Sequence, residues 1–436
     1  MPGVLRHRIA ALIPKGPIAS SIMSLAGGTA AAQIITACAM PIVTRLYTPA
    51  QIGVISLFLA FFSFWTALLS WRYESALLIA ADDAESHLIF RVGSGCVMLM
   101  SLLGLPVLML FIAGNALGFG LLPWWSAWAA VPILMGYGQF MMYRSWGLRG
   151  GYVRDISKAT VTRSASNAGG RVVLGLLGAG IPGLFAAELL GAWGAMGALY
   201  RTVHRRFEPS RPLFRWSALM QVMQRYSKFA KYEMPSVALD KLSLTLPVPM
   251  VAALYGPAAA GWFGLAKLLV AIPNAQIGAA VADVFQMELA RAVREREYTA
   301  AKQLFYKLLR KLSLLGLLPL AGTMLLGPWL VPLIFGKSWE QMGVIVVCIA
   351  PWIYAALVVS TLSRLLSVFQ EQKIKLVYDI FTLLLVLAIY YLSRWLGFDL
   401  VAMVSLLSAA NVVAYGLYLL ILKNVIERRA CTSGIQ

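Results

Sequence analysis

Two lysines stand where a lysine is costly. Lys241 and Lys267 each lie about nine residues inside a long apolar run. At about 1.5 Å per helical residue, each sits about 14 Å deep, near the middle of about 30 Å of hydrocarbon. A bare charge at that depth costs at least about 2.5–3.5 kcal/mol. Their ammonium groups are movable point donors suited to an anion. The competing reading pairs each with a carboxylate in the bundle, or lets it snorkel to an interface, which is hard from mid-depth.

Other polar residues follow the same logic. Arg163, Asn167 and Arg171 are spaced i, i+4, i+8 and share one helix face, with Ser164 beside them. The stripe is either a binding face or an ordinary basic loop before a later helix start. Arg45 precedes Tyr47 at the end of the first run, to line a cavity or to anchor the helix at an interface. Acids in or near the runs are few: Asp240, Glu188 and Asp283. Burial raises a carboxylate's pKa and lets it carry a proton, so these three are the candidates for ion coupling. Asp240 adjoins Lys241 in sequence, but on a helix their side chains diverge by about 100°. Structural ion pairing is the preferred reading of Asp240. Glu74, Glu233 and Asp379 fall at run ends. Pro247, Pro249 and Pro273 interrupt the runs that hold the lysines, as hinges or as static bends. The aromatic pairs Trp124–Trp125 and Trp352–Tyr354 read as interface or packing residues. No cysteine or histidine spacing suits a metal, and no Walker A motif occurs, so no catalytic group, metal or cofactor is expected.

The elements that must position these residues are membrane helices. The 436 residues are 60% hydrophobic and 13% charged, against roughly 25% charged in soluble proteins. Mean hydropathy is +0.76. Apolar runs predict helices at 20–46, 52–71, 88–112, 124–143, 160–181, 182–200, 232–254, 258–280, 309–335, 342–363, 376–396 and 398–422. The expected fold is therefore all-α: a polytopic membrane protein of about 12 transmembrane helices. The first run is too long for a signal-peptide core and is expected to be an uncleaved span.

The formal net charge is +19, and its placement decides what it means. With the N-terminus inside, 31 of the 37 Lys and Arg residues fall in inner loops, tails or adjoining helix ends. Only Arg45, Lys337 and Arg394 fall outside. That asymmetry is the positive-inside rule, not a nucleic-acid patch, and it predicts both termini in the cytoplasm.

A repeat divides the chain. Residues 41–53 read PIVTRLYTPAQIG and residues 249–261 read PMVAALYGPAAAG, at a constant offset of 208. Six helices per half give the two copies the same orientation, related by an axis along the membrane normal. The expected lobes are residues 1–210 and 211–436, six helices each, with the substrate path at their interface.

These residues also resemble a known family. PIVTRLYTPAQIG with WRYESALLIAADDAE (71–85), and LPVPMVAALYGPAAAGWFGLAKLL (246–269) with VFQMELARA (284–292), resemble Wzx-type polysaccharide biosynthesis flippases. These belong to a superfamily that also holds MATE multidrug extruders and lipid II flippases. The resemblance implies two six-helix bundles around a central cavity. The implied partner is a lipid-linked oligosaccharide on undecaprenyl diphosphate, moved from the cytoplasmic to the periplasmic leaflet of a bacterial inner membrane by alternating access. Such glycans feed O-antigen lipopolysaccharide, capsule or exopolysaccharide assembly. On this reading Lys241 and Lys267 hold the diphosphate, with Arg45, Arg163, Asn167 and Arg171 as further contacts. Membrane lipids and other polysaccharide-assembly proteins are the remaining expected partners.

Two alternatives stay open. A multidrug or small-cation extruder would favour carboxylates over lysines at mid-depth. A membrane-embedded glycan polymerase or ligase would want a sizeable outer loop rich in acids or arginines, whereas the outer loops here are short.

Overall fold

Apolar runs become helices where capping residues bound them. Thr48 and Gln51 form a reciprocal capping box: each backbone N–H donates to the other's side-chain oxygen, at 3.0 and 3.3 Å. Pro49 between them sits at a first-turn position that needs no N–H. Asp82 likewise accepts the Glu85 N–H at 2.7 Å, and Asp399 accepts that of Ala402 at 2.9 Å.

The computed structural model describes residues 17–206, 216–273, 278–295, 297–369 and 371–432. Every regular element among them is helical. In chain order these are α1 (Pro17–Leu46), α2 (Pro49–Thr66), α3 (Asp83–Ala113), α4 (Ser126–Arg149), α5 (Val153–Leu176), α6 (Gly180–Arg206) and α7 (Trp216–Arg225). Then follow α8 (Met234–Thr245), α9 (Pro247–Pro273), α10 (Ala279–Arg294), α11 (Tyr298–Phe335), α12 (Glu340–Leu362), α13 (Gln372–Leu396) and α14 (Leu400–Thr432).

Among the described residues helices occupy all twelve expected positions, so the chain is an all-α polytopic membrane protein. Among the described residues nine helical stretches are long and apolar enough to cross a membrane. One of them, Phe229–Ala271, contains expected span 7 and the first part of expected span 8. Spans 4 and 5 fall short on composition: α5 carries Arg154, Asp155, Lys158, Arg163 and Arg171. Pro273 closes α9, and the next residues, 274–277, lie outside the described ones.

By contacts the chain forms two compact units. The first holds residues 1–39, 66–105 and 127–234; the second holds 40–65, 106–126 and 235–436. This division follows packing, whereas the boundary expected at residue 210 follows covalent order.

In the first unit, Tyr73, Leu77, Ile89, Phe140, Ile156 and Leu199 form one buried cluster. The WRYE stretch turns here. Trp71 and Arg72 both hold a left-handed backbone, with φ of 50° and 64°, which costs free energy in residues bearing a Cβ. Contacts hold the turn closed: the Arg72 guanidinium donates to Glu74 at 2.7 Å and to Glu233 at 2.6 Å. Glu74 also accepts from the Ser70 hydroxyl. The amphipathic α7 buries Leu219 and Val222 in the same cluster, and Arg225 pairs with Glu85 at 2.7 Å.

In the second unit the two copies of the repeat cross. A Cβ on Gly53 would strike the Pro257 carbonyl oxygen, and one on Gly261 would strike that of Pro49. The offset of 208 exchanges these two contacts, since Pro49 maps to Pro257 and Gly53 to Gly261. The reciprocity is what a two-fold relation produces. The Thr44 carbonyl, at the end of α1, is satisfied by the buried Trp339 indole N–H at 2.9 Å.

Candidate functional site

Prolines open the backbone beside Lys241. Pro247 and Pro249 have no N–H to offer Ser243 and Thr245 one turn earlier, so regular helix breaks between α8 and α9. Gly256 (φ 83°) then reverses the chain within α9. Leu244 lies twelve residues before Gly256 and Lys267 eleven after it, so the two stand level on opposite arms. At 1.5 Å per residue that level is about 17 Å from the turn, about half the hydrocarbon thickness. The Lys267 ammonium donates to the Leu244 carbonyl there. Its Nζ also lies 5.6 Å from the centroid of the Trp352 ring on α12, a cation–π contact. Among the described residues no carboxylate pairs with it.

Lys241 is half-buried on α8, one turn before Leu244. Its ammonium makes no ion pair with a described residue. Asp240, its neighbour in sequence, turns away to α13, where its Oδ1 is 3.6 Å from the Lys375 Nζ. Lys375 also holds Asp379 at 2.6 Å. Two carboxylates therefore share one lysine, which leaves one net negative charge on the Asp240, Lys375 and Asp379 cluster itself.

The remaining candidates are placed elsewhere. Arg171 and Glu188 meet at 2.6 Å across α5 and α6, each 8% exposed. Arg163 lies over the Tyr137 ring at 4.4 Å, and the Asn167 side chain donates to the Ala187 carbonyl at 3.3 Å. The stripe on α5 thus makes contacts within its own unit. Arg45 is exposed in the last turn of α1. Asp283 falls in α10, with its side chain outside the described ones. The structure groups Lys241, Lys267 and Asp240 in the second unit and Arg163, Asn167, Arg171 and Glu188 in the first.

A family model described as polysaccharide biosynthesis protein matches residues 42–344, more than half of the chain. The chain belongs to that family. No curated protein matches it by sequence. Solved structures do match in fold. A multidrug resistance MATE family transporter of the MOP superfamily, in an inward-facing conformation, is similar over 92% of this chain and 96% of its own. The TM-score is 0.69 at 17% identity. A variant of the Vibrio cholerae MATE transporter VcmN gives a TM-score of 0.58 at 14% identity, covering 94% of this chain and 97% of its own. A MOP superfamily transporter from Pyrococcus furiosus, described as having a binding pocket of reversed polarity, gives 0.58 at 15% identity, covering 96% and 98%.

In this family member two site residues escape sequence reasoning. Trp352, which reads as packing, faces the Lys267 ammonium; only its depth in an apolar run hints at that. Lys375 is 135 residues from Asp240, and the one local signal is its i, i+4 spacing to Asp379.

Proposed function

We propose that this member of the polysaccharide biosynthesis family is a flippase. It carries an undecaprenyl-diphosphate-linked oligosaccharide from the cytoplasmic to the periplasmic leaflet of a bacterial inner membrane, with both termini cytoplasmic. The observation that carries the reading is the pair Lys241 and Lys267: two ammonium groups far inside apolar runs with no carboxylate of their own among the described residues. Two uncompensated cations are unfavourable unless an anion joins them for part of the cycle. A diphosphate supplies that charge and leaves again. Binding must stay modest, because a site that held the diphosphate tightly would not release it. Asp240, sharing Lys375 with Asp379, is the candidate for coupling to an ion gradient.

The structural neighbours named as multidrug transporters support a second reading, extrusion of a small cation. Positive charge at mid-depth opposes it, because a cationic cargo would be repelled.

The test is Lys241→Ala and Lys267→Ala, singly and together, with surface glycan and protein abundance both measured. Loss of glycan at normal abundance in the double variant is the expected result. Normal export at normal abundance would overturn the reading. Cysteine labelling checks the orientation: residues in 201–231, with eight basic residues, should be reached only from the cytoplasmic side.

A further inference from the structure

The second unit carries an apolar recess of about 380 Å³ between α9, α11 and α12. Gly316, Gly322 and Gly327 line it along α11, where Gly316 admits the Tyr354 ring, and Leu269, Ile353 and Leu357 wall it. The lining on α11 runs from residue 316 to 335. At about 1.5 Å per residue that is about 28 Å, close to the full hydrocarbon thickness. Among the described residues the only side-chain hydroxyls in it belong to Thr323 and Tyr354, and Tyr354 donates to the Ser313 carbonyl at 3.1 Å. A sugar would find almost nothing to bond here.

The recess adjoins the unpaired cation. Val270, in its wall, is one turn from Lys267, and Ile353 follows Trp352, over which the Lys267 ammonium lies. An apolar furrow one helical turn from a bare ammonium fits a molecule with an apolar chain joined to an anionic head. We infer that this recess holds part of the isoprenoid chain of the cargo while the diphosphate meets Lys267. This rests on the flippase reading and adds to it a seat for the lipid. Packing an isoprenoid chain against these leucines and glycines gives affinity without polar specificity. The chain then stays in hydrocarbon while only the head and glycan cross.

A diazirine-bearing polyprenyl diphosphate without sugar, offered to the full chain in lipid nanodiscs, tests this. The expected result is saturable labelling within residues 316–335 and 346–357, displaced by undecaprenyl phosphate but not by excess phosphatidylglycerol. Gly322 is the place to block the recess, because a Cβ there meets nothing within 4 Å. Gly322→Trp should reduce labelling at least about tenfold, the loss of roughly two buried methylene groups. Equal displacement by phosphatidylglycerol would mean the recess takes bilayer lipid only and would overturn the inference. Saturable labelling confined to other residues would overturn the recess but leave the flippase reading standing. No saturable labelling anywhere would sink both. The wild-type label map decides among these even if the tryptophan variant does not fold.

Discussion

Each unit of this membrane protein places a cation deep in its helices, and the two are treated in opposite ways. In the first unit Arg171 meets Glu188 at 2.6 Å and both are buried, so the charge is neutralised within the fold. In the second, Lys267 has a carbonyl and an indole face but no carboxylate among the described residues. A buried pair is complete: it has no unmet charge to offer a ligand, and its loss is felt as instability. A cation held only by a dipole and a quadrupole is incomplete, and the missing counter-charge must come from elsewhere. The contrast separates a structural charge from one available for transport.

Breaking the complete pair should have the largest effect. Glu188→Gln leaves Arg171 buried without its partner and should cost about 3–5 kcal/mol. The readout is a fall in thermal unfolding temperature and in membrane abundance, and replacing both residues with methionine should restore most of it. Wild-type stability in Glu188→Gln would erase the distinction. A partly exposed pair in the same unit sharpens it. Arg72 and Glu233 are 23% and 35% exposed, so Glu233→Gln should cost about 1 kcal/mol or less in the same unfolding assay. The smallest change in stability belongs to Lys267. Removing an uncompensated charge relieves a desolvation penalty, so Lys267→Met should leave stability unchanged or slightly raised while abolishing glycan export. A large loss of stability there would mean that Lys267 serves the fold as Arg171 does, and the contrast would fail.

How far the sequence reaches follows the same physics. Helix positions were legible because a span must be apolar over a fixed length, and runs such as 309–335 announce themselves. The position of the two lysines well inside their apolar runs was legible by counting residues. The repeat was visible as well, but not that its copies touch: the crossing of Gly53 and Gly261 depends on two backbones approaching until no Cβ fits. The partners of the charges were the hardest part. Arg171 and Glu188 are 17 residues apart on neighbouring helices, within reach of a careful guess, whereas Asp240 and Lys375 are joined only by the tertiary fold. A polar stripe can be recognised from spacing, but whether it faces a cargo or its own unit depends on helix rotation, which spacing does not determine.

The central claim is that the second unit's unpaired ammonium groups recognise the charge of the cargo's head, and a preference measured directly tests it. Undecaprenyl diphosphate and uncharged undecaprenol share a tail and differ at the head. Their binding to the full chain in nanodiscs, wild type against Lys241→Met/Lys267→Met, reads the contribution of charge alone. The account predicts that the wild type prefers the diphosphate at least about tenfold, about 1.4 kcal/mol, and that the double variant binds both lipids alike. An unchanged preference in a folded double variant would contradict it.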